Sequence, residues 1–420
     1  MRISNASMPR FMCFGRRFGR FIRTRRLRAA LMGALTATLM GAITPAAAGA
    51  QSTGTASGAS SRTDSVPHVR FGAFVDGYYA WDAGQPPARD RAFAGGTVFG
   101  TQPSRHNEFN INLAFVEAML TAPRYRGRLA VQFGTSVQAN YAGEPTVGQI
   151  SGPSVQQYLQ EAYAGVRLAD RTWIDGGIFF SNAGMEGWIS RDNLTYTRSL
   201  VADYSPYYST GVRLIHQATP TLTMRLDVVN GWQNISENNQ GKGAGLRLDW
   251  TPAAAVSGDA TSVSYYNLVS EEAGTRPRLF NGVGMSVRRG HLTVLGQADV
   301  GVQRRAVGDN GWSRWYGLLA GARVQVTPAA AIVGRVERYV DPDQVILRTG
   351  AMRRNGIDLP NAAFRGNSAS LGVDVRAAAG ALWRTEARVF HNREAIFPDG
   401  SRGAPRRGGG FVVSSLAVSF

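Results

Sequence analysis

"TLTMRLDVVNGW", residues 221–232, carries the reading of the fold. Leu222, Met224, Leu226 and Val228 share one parity; Thr223, Arg225 and Asp227 take the other. A period of two belongs to a strand with two unlike faces. The pattern recurs in "GLRLDW" (245–250), with Leu246, Leu248 and Trp250 against Arg247 and Asp249, and in "SLGVDVR" (370–376), with Leu371, Val373 and Val375 against Asp374 and Arg376. "GRLAVQFGTSVQ" (127–138) sets Leu129, Val131, Phe133 and Val137 against Arg128, Gln132, Ser136 and Gln138. The chain closes on "FVVSSLAVSF" (411–420), where Val412, Ser414, Leu416, Val418 and Phe420 form one face. A soluble sandwich also alternates, with its apolar face toward a core. The connections between strands separate the two architectures.

The alternation predicts sixteen strands, near 69–81, 107–121, 126–139, 156–168, 172–181, 208–217, 221–232, 242–251, 261–270, 278–288, 291–303, 312–326, 330–340, 364–377, 381–391 and 410–420, with "DQVILR" (343–348) as either a strand extension or a small hairpin within a loop. Connections after even strands are short, among them "APRY", "ADR", "ATP", "RRG" and "AAAG"; the longest, 82–106, 140–155, 182–207, 341–363 and 392–409, all follow odd strands. Sorting by parity places long loops on one end of the sheet, the mark of an up-and-down transmembrane barrel. Backbone polar groups in lipid need partners, so the sheet must close and the last strand must pair with the first. Thr-Pro at 219–220, 251–252 and 327–328 suits the short turns, because Pro donates no hydrogen bond where pairing ends. Aromatic residues near strand ends predict two interfacial girdles: Tyr78, Tyr79, Trp81, Trp232, Trp312, Trp315, Tyr316 and Tyr339 on one side, and Trp173, Trp250, Trp383 and Phe420 on the other. Phe420 is the anchor of the closing strand.

Export is read from the N-terminus. Residues 2–28 hold nine Arg and no acid, followed by the apolar run 29–50 with an Ala-Gly-Ala end. Residues 1–50 are a signal peptide cleaved near Ala50, 51–68 a flexible periplasmic leader and 69–420 the all-β barrel. The run before Pro45 is too short for a spanning helix. Cys13 leaves with the signal, which excludes disulfides, thiol chemistry and cysteine metal sites from the mature chain. Subtracting nine Arg from 46 basic residues leaves 37 against 29 acidic, about +8, so the formal +17 is in large part a targeting signal and nucleic acid is not an expected partner.

The stretches "FGAFVDGYYAWD", "HNEFNINLAFVEA", "RGRLAVQFGT", "LQEAYAGVRL", "GGIFFSNAGMEGWISRDNLTYTRSL" and "SPYYSTGVRL" resemble the OmpL-like β-barrel porin family of Gram-negative outer membranes, most closely over 70–216. The resemblance implies an outer-membrane barrel and passive transport of small hydrophilic solutes. It brings no catalytic or ligand residues.

The inward parity names the pore-lining candidates: Arg128, Arg167, Asp175, Arg213, Arg225, Asp227, Arg247, Asp249, Arg323, Arg335, Glu337, Asp374, Arg376, Arg384, Glu386 and Arg388. Ten Arg against six acids predict a weak anion preference; cross-strand pairing of the same charges is the plainer reading. "EAML" (117–120) breaks the parity of "FNINLAF", so either a bulge there or Glu117 near an interface is expected. Loop 182–207, with Glu186, Arg191, Asp192, Arg198 and Asp203, is the candidate constriction, with an ordinary surface loop as the alternative. Arg353, Arg354, Arg402, Arg406 and Arg407 are candidates for lipopolysaccharide phosphates. Outer-membrane lipid and the barrel-assembly machinery are expected partners, and a homo-oligomer is left open. A substrate-specific channel and a non-conducting structural or adhesin barrel remain alternatives. Five His with no GxSxG and no ligand spacing argue against an enzyme, a metal site or a cofactor.

Overall fold

The computed structural model describes residues 66–420, except 255, 273–275, 306–308, 351, 355–356, 360–361 and 402–403. The signal peptide, its cleavage at Ala50 and the leader as far as residue 65 lie outside the described residues, as do the side chains of Arg353, Arg354 and Arg402. The barrel strands in chain order are β1 (His68–Asp82), β2 (Phe109–Thr121), β3 (Tyr125–Phe133), β4 (Leu159–Ala169), β5 (Thr172–Phe180), β6 (Tyr208–Thr219), β7 (Leu222–Val229), β8 (Gly243–Trp250), β9 (Ala260–Glu272), β10 (Arg276–Arg289), β11 (Leu292–Arg304), β12 (Trp312–Gln325) and β13 (Ala330–Asp341). A small hairpin follows, β14 (Met352–Arg354) and β15 (Ile357–Leu359), and then β16 (Phe364–Ala378), β17 (Ala381–Asn392) and β18 (Gly408–Ser419). Sixteen strands, all but the hairpin, close into one antiparallel barrel in which each pairs with its neighbours in sequence. The seam joins β1 to β18 with Phe74 opposite Ser419, and Ala73 and Phe420 exchange both backbone hydrogen bonds at 2.8 and 3.0 Å.

Side-chain parity follows the expected faces. Leu226, Val228, Leu371, Leu416, Trp383 and Phe420 are exposed on the lipid side. Phe411, Val413, Ser415 and Ala417 of β18 are buried on the inner side.

Four local readings are corrected. The break in β2 lies at Asn112 rather than 117–120: Asp76 pairs with Leu113 and Gly77 with Ile111, so Asn112 is the extra residue. Phe109 and Ile111 therefore face out, whereas Leu113 and Phe115 face in. Strand β3 ends at Phe133, and 135–141 is a helix that buries Val137 and Tyr141. Gly134 makes this inward turn at φ 134°, where a Cβ would stand 2.4 Å from the Asn112 carbonyl oxygen. The small hairpin sits at 352–359 instead of within "DQVILR"; there the Asp341 carboxylate accepts from the amides of Val345, Ile346 and Leu347.

The fourth correction concerns the aromatic residues. Tyr79, Trp312, Tyr316, Trp250 and Trp383 lie on the outer face, but Tyr78, Trp315 and Tyr339 are buried inside the barrel and Trp232 packs against the same cluster. Trp173 faces inward beneath the Arg126 guanidinium, 4.5 Å away. The inner wall toward the long loops is apolar because those loops fold in and cover it. Phe93 and Phe99 from 83–108, Leu200 and Val201 from 182–207, Leu347 from 342–363, and Ile396 and Phe397 from 393–407 join Tyr266, Phe280, Leu319, Phe364, Phe390 and Phe411 of the wall. Burial of such groups is worth roughly 1.5–3 kcal/mol for each large side chain. A hydrophobic core thus ties these loops to the inner wall at the long-loop end of the barrel.

Candidate functional site: the lumen and loop 182–207

Inward parity is set by the pleat, and register then decides which charges meet. Arg213 and Asp227 lie opposite one another on β6 and β7 and form a two-pronged pair, both contacts 2.8 Å. On β7 and β8, Asp249 takes Arg247 at 2.8 Å and Arg225 at 3.5 Å. Asp175 of β5 receives Arg126 at 2.7 and 2.9 Å. Arg128 bridges Glu117 at 2.6 Å and Glu161. Across the barrel, Asp374 holds Arg323 at 2.5 Å and Arg384 at 2.9 Å. Glu337 stands 2.8 Å from both Arg335 and Arg388, and Glu386 lies 3.6 Å from Arg335. Two candidates stand apart from these networks. Arg167 is exposed beside a short turn and pairs with Asp170 at 3.0 Å, and Arg376 is exposed at the periplasmic end of β16.

Loop 182–207 crosses between these groups and touches most of the wall. Near its start, Arg247 donates to the carbonyls of Asn182 and Gly184, both at 2.8 Å, and the Met185 amide donates to Gln297 of β11 at 3.0 Å. Trp188 donates to Gln132 of β3 at 2.8 Å, and Ser190 to Asp76 of β1 at 2.7 Å. Arg384 donates to the carbonyls of Ser190 and Leu194, and Arg323 to that of Leu194. Thr197 donates through its amide and hydroxyl to Glu386, both at 2.8 Å, and the Leu200 amide donates to Glu337. The helical turn Leu200–Asp203 is capped by Ser199, whose own amide donates to Glu186 at 2.9 Å. Glu186 in turn lies 3.5 Å from Arg335. Many of the wall's charges thus receive the polar backbone of a segment that has no sheet partner.

Among the loop's own candidates, Glu186, Arg198 and Asp203 are interior. The Arg198 guanidinium lies over the rings of Tyr207 at 3.7 Å and Trp188 at 4.4 Å, and 3.4 Å from Asp203. Arg191 and Asp192 remain partly exposed on the periplasmic side, where Arg191 reaches Ser419.

Several inward acids escaped the sequence reading: Asp76, Glu117, Glu161 and Asp299. Glu161 shares the parity of Arg167 in "LQEAYAGVRL", a signal present in the alternation. Asp76 carries no such signal, because its partners Asn112 and Ser190 meet it only through the bulge and the loop. With these acids counted, the Arg excess on the buried wall disappears. What remains is a basic periplasmic rim. Arg70, Arg288 and Arg376 are exposed there, the first donating to the Met119 sulfur and the second to the Gly258 carbonyl.

The family model described as "Putative beta-barrel porin-2, OmpL-like" matches residues 68–420. The chain belongs to this porin family, and it is a porin of the bacterial outer membrane. No curated protein matches it. Among solved structures, the porin is similar in fold to the anion-selective porin from Comamonas acidovorans, at 9% identity and TM-score 0.52, over 84% of this chain and 100% of that one. OprB of Pseudomonas putida is similar at 12% identity and TM-score 0.53, over 84% and 94%. The outer-membrane channel DcaP of Acinetobacter baumannii is similar at 12% identity and TM-score 0.51, over 84% and 97%.

Proposed function

We propose that the porin passes small hydrophilic solutes and ions by passive diffusion, with loop 182–207 as the constriction. The observation that carries this reading is the tethering of one loop to wall residues on β1, β3, β8, β11, β12, β13 and β17. A segment so held narrows a lumen without sealing it by sheet pairing. Solutes would pass along the charged wall of β3–β8, where Arg126 and Arg225 retain side-chain exposures of 27% and 32%. Arg128, Asp175, Arg213, Asp227, Arg247 and Asp249 line that route in this reading.

A weak anion preference is retained, but its source moves from the buried wall to the periplasmic rim of Arg70, Arg288 and Arg376. Exposed charge at a mouth biases entry and is screened by salt. The finer partners belong to the same proposal: lipopolysaccharide at the long-loop end, the assembly machinery at insertion, and a homo-oligomer in the membrane. The apolar core at the long-loop end favours a second reading, a barrel that conducts little or nothing.

Single-channel recording separates the two. The proposed porin gives ion conductance, and deleting part of 186–203 raises it. A silent wild-type barrel supports the second reading, and unchanged conductance after the deletion places the narrowing elsewhere. Replacing Arg70, Arg288 and Arg376 together with Gln should remove any anion-positive reversal potential in a salt gradient; a preference that persists returns the selectivity to the inner wall.

A further inference from the structure

The outer surface of the barrel is unequal around its circumference. No outward position on β1–β8 carries Arg, Lys, Asp or Glu; those positions hold aliphatic, small, aromatic and a few Thr side chains, with His216 at one end. On β11–β16, by contrast, Arg304, Arg314, Arg338 and Arg365 all occupy outward positions near the long-loop end. Each sits just beyond the apolar belt formed by Leu318, Ile332, Val336 and Leu371. No acid shares the outward face of these strands among the described residues.

Arg338 is the centre of the group. Its side chain is exposed on the lipid side, and its described partners are neutral: the Tyr316 hydroxyl at 3.4 Å and the Asn367 side-chain oxygen at 3.1 Å. Register places Leu318, Arg338, Asn367 and His391 in one row across four strands. Arg365 stands opposite Val340, two residues along from that row, so its Cα lies about 7–8 Å from that of Arg338. It contacts Glu394 at 3.5 Å. Arg314 lies one pleat beyond Tyr316 on the same face and has no described partner.

A guanidinium at the edge of hydrocarbon costs only about 0–1 kcal/mol and holds its charge at headgroup level, where an anion can meet it. Inside this barrel nearly every Arg has a carboxylate; on this outer sector Arg314 and Arg338 have none among the described residues. We propose that Arg338, Arg314 and Arg365, with Tyr316 and Asn367, form a binding site on the outer wall for the phosphate groups of an outer-leaflet glycolipid. This deepens the lipopolysaccharide reading above by naming the wall of β12–β16, rather than the loops, as the place of contact. Guanidinium forks match phosphate oxygens in pairs, and the exposed belt beneath would receive the acyl chains.

The test uses the full mature chain folded in a Gram-negative host and extracted in mild detergent, with co-purified glycolipid measured per barrel by mass spectrometry. The variant R314Q/R338Q should retain roughly tenfold less, the scale of one lost charge-assisted hydrogen bond. R407Q, in the last long loop, should retain as much as wild type. Both variants should keep heat-shifted gel mobility and conductance, which separates this proposal from the channel reading. Purified bisphosphorylated lipid A added back should bind wild type and spare R314Q/R338Q, while inorganic phosphate competes only weakly. Equal retention by R314Q/R338Q and wild type overturns the site. Loss confined to R407Q also overturns it, and leaves lipopolysaccharide contact with the loops.

Discussion

Arg335 is fully enclosed, and around it stand the carboxylates of Glu186, Glu337 and Glu386 and the carbonyl of Thr197. Its replacement by Met leaves acids without their counter-charge, which costs about 3–5 kcal/mol when one partner of a buried pair is removed. R335M should therefore lower the denaturant midpoint of the folded barrel and expose 186–203 to protease; an unaltered digestion pattern would show that the loop is held by its other tethers. On the opposite face Leu226 is half exposed toward lipid. Leu226→Arg should cost about 2–4 kcal/mol in a folding titration, while Arg225→Leu should change conductance more than stability. Exchange of the two effects would place the register of β7 one residue off. Parity alone sufficed to put Arg335, Glu337 and Glu386 on the inner face. It did not pair Arg335 with Glu186, because that contact depends on where an irregular loop travels after leaving its strand.

At the scale of elements, strands repeated their alternation and were legible; segments that leave the sheet and enter the lumen were not. Val137 has the spacing of Val131 and Phe133, yet it lies on a helix because Gly134 redirects the chain. Gly134→Ala sets a Cβ against the Asn112 carbonyl and should weaken assembly, read as a smaller fraction of heat-shifted protein; full assembly would mean that the turn adapts. Tyr78, Trp315 and Tyr339 look like girdle residues by position near strand ends, and only the infolded loops reveal them as core. Loops 134–158 and 230–242 meet at Glu144, which accepts from the Tyr208 hydroxyl at 2.7 Å and from the amides of Ile235 and Ser236 at 2.9 and 2.8 Å. Burial raises its pKa above the usual carboxylate value despite these bonds. The folded state then holds the proton more tightly than the unfolded one. The contribution to stability is complete below the unfolded pKa and declines as pH rises through the folded pKa. Hydrogen-exchange protection in both loops, corrected for the intrinsic rise of exchange with pH, should fall across that window in wild type and stay flat in Glu144→Gln. A flat wild-type profile would show that Glu144 is not the coupling group.

For the whole molecule, loop lengths sorted by parity give the expected orientation of the barrel, with the long loops outside, and that expectation is open to test. Protease added to intact cells should cut within 342–363 or 393–407 and spare the turn 251–259; cleavage of that turn from outside would invert the topology. Removing Phe420 should reduce the heat-shifted, membrane-inserted form, because its amide and carbonyl complete the seam with Ala73; placing Asp there should reduce it by setting a charge on the lipid-facing side. Normal insertion without Phe420 would make the terminal pair dispensable. The seam also bears on the order of events in time. Strand β1 leaves the ribosome first and its closing partner β18 last, so one edge of the first strand waits for nearly the entire chain to be made and exported. Until then the growing sheet has two open margins, each a template for pairing with another chain, and the contact that removes both also spans one of the longest stretches of sequence. In a porin built this way the pairing of β1 with β18, finished by the Ala73–Phe420 hydrogen bonds, is the one contact that removes both margins at once.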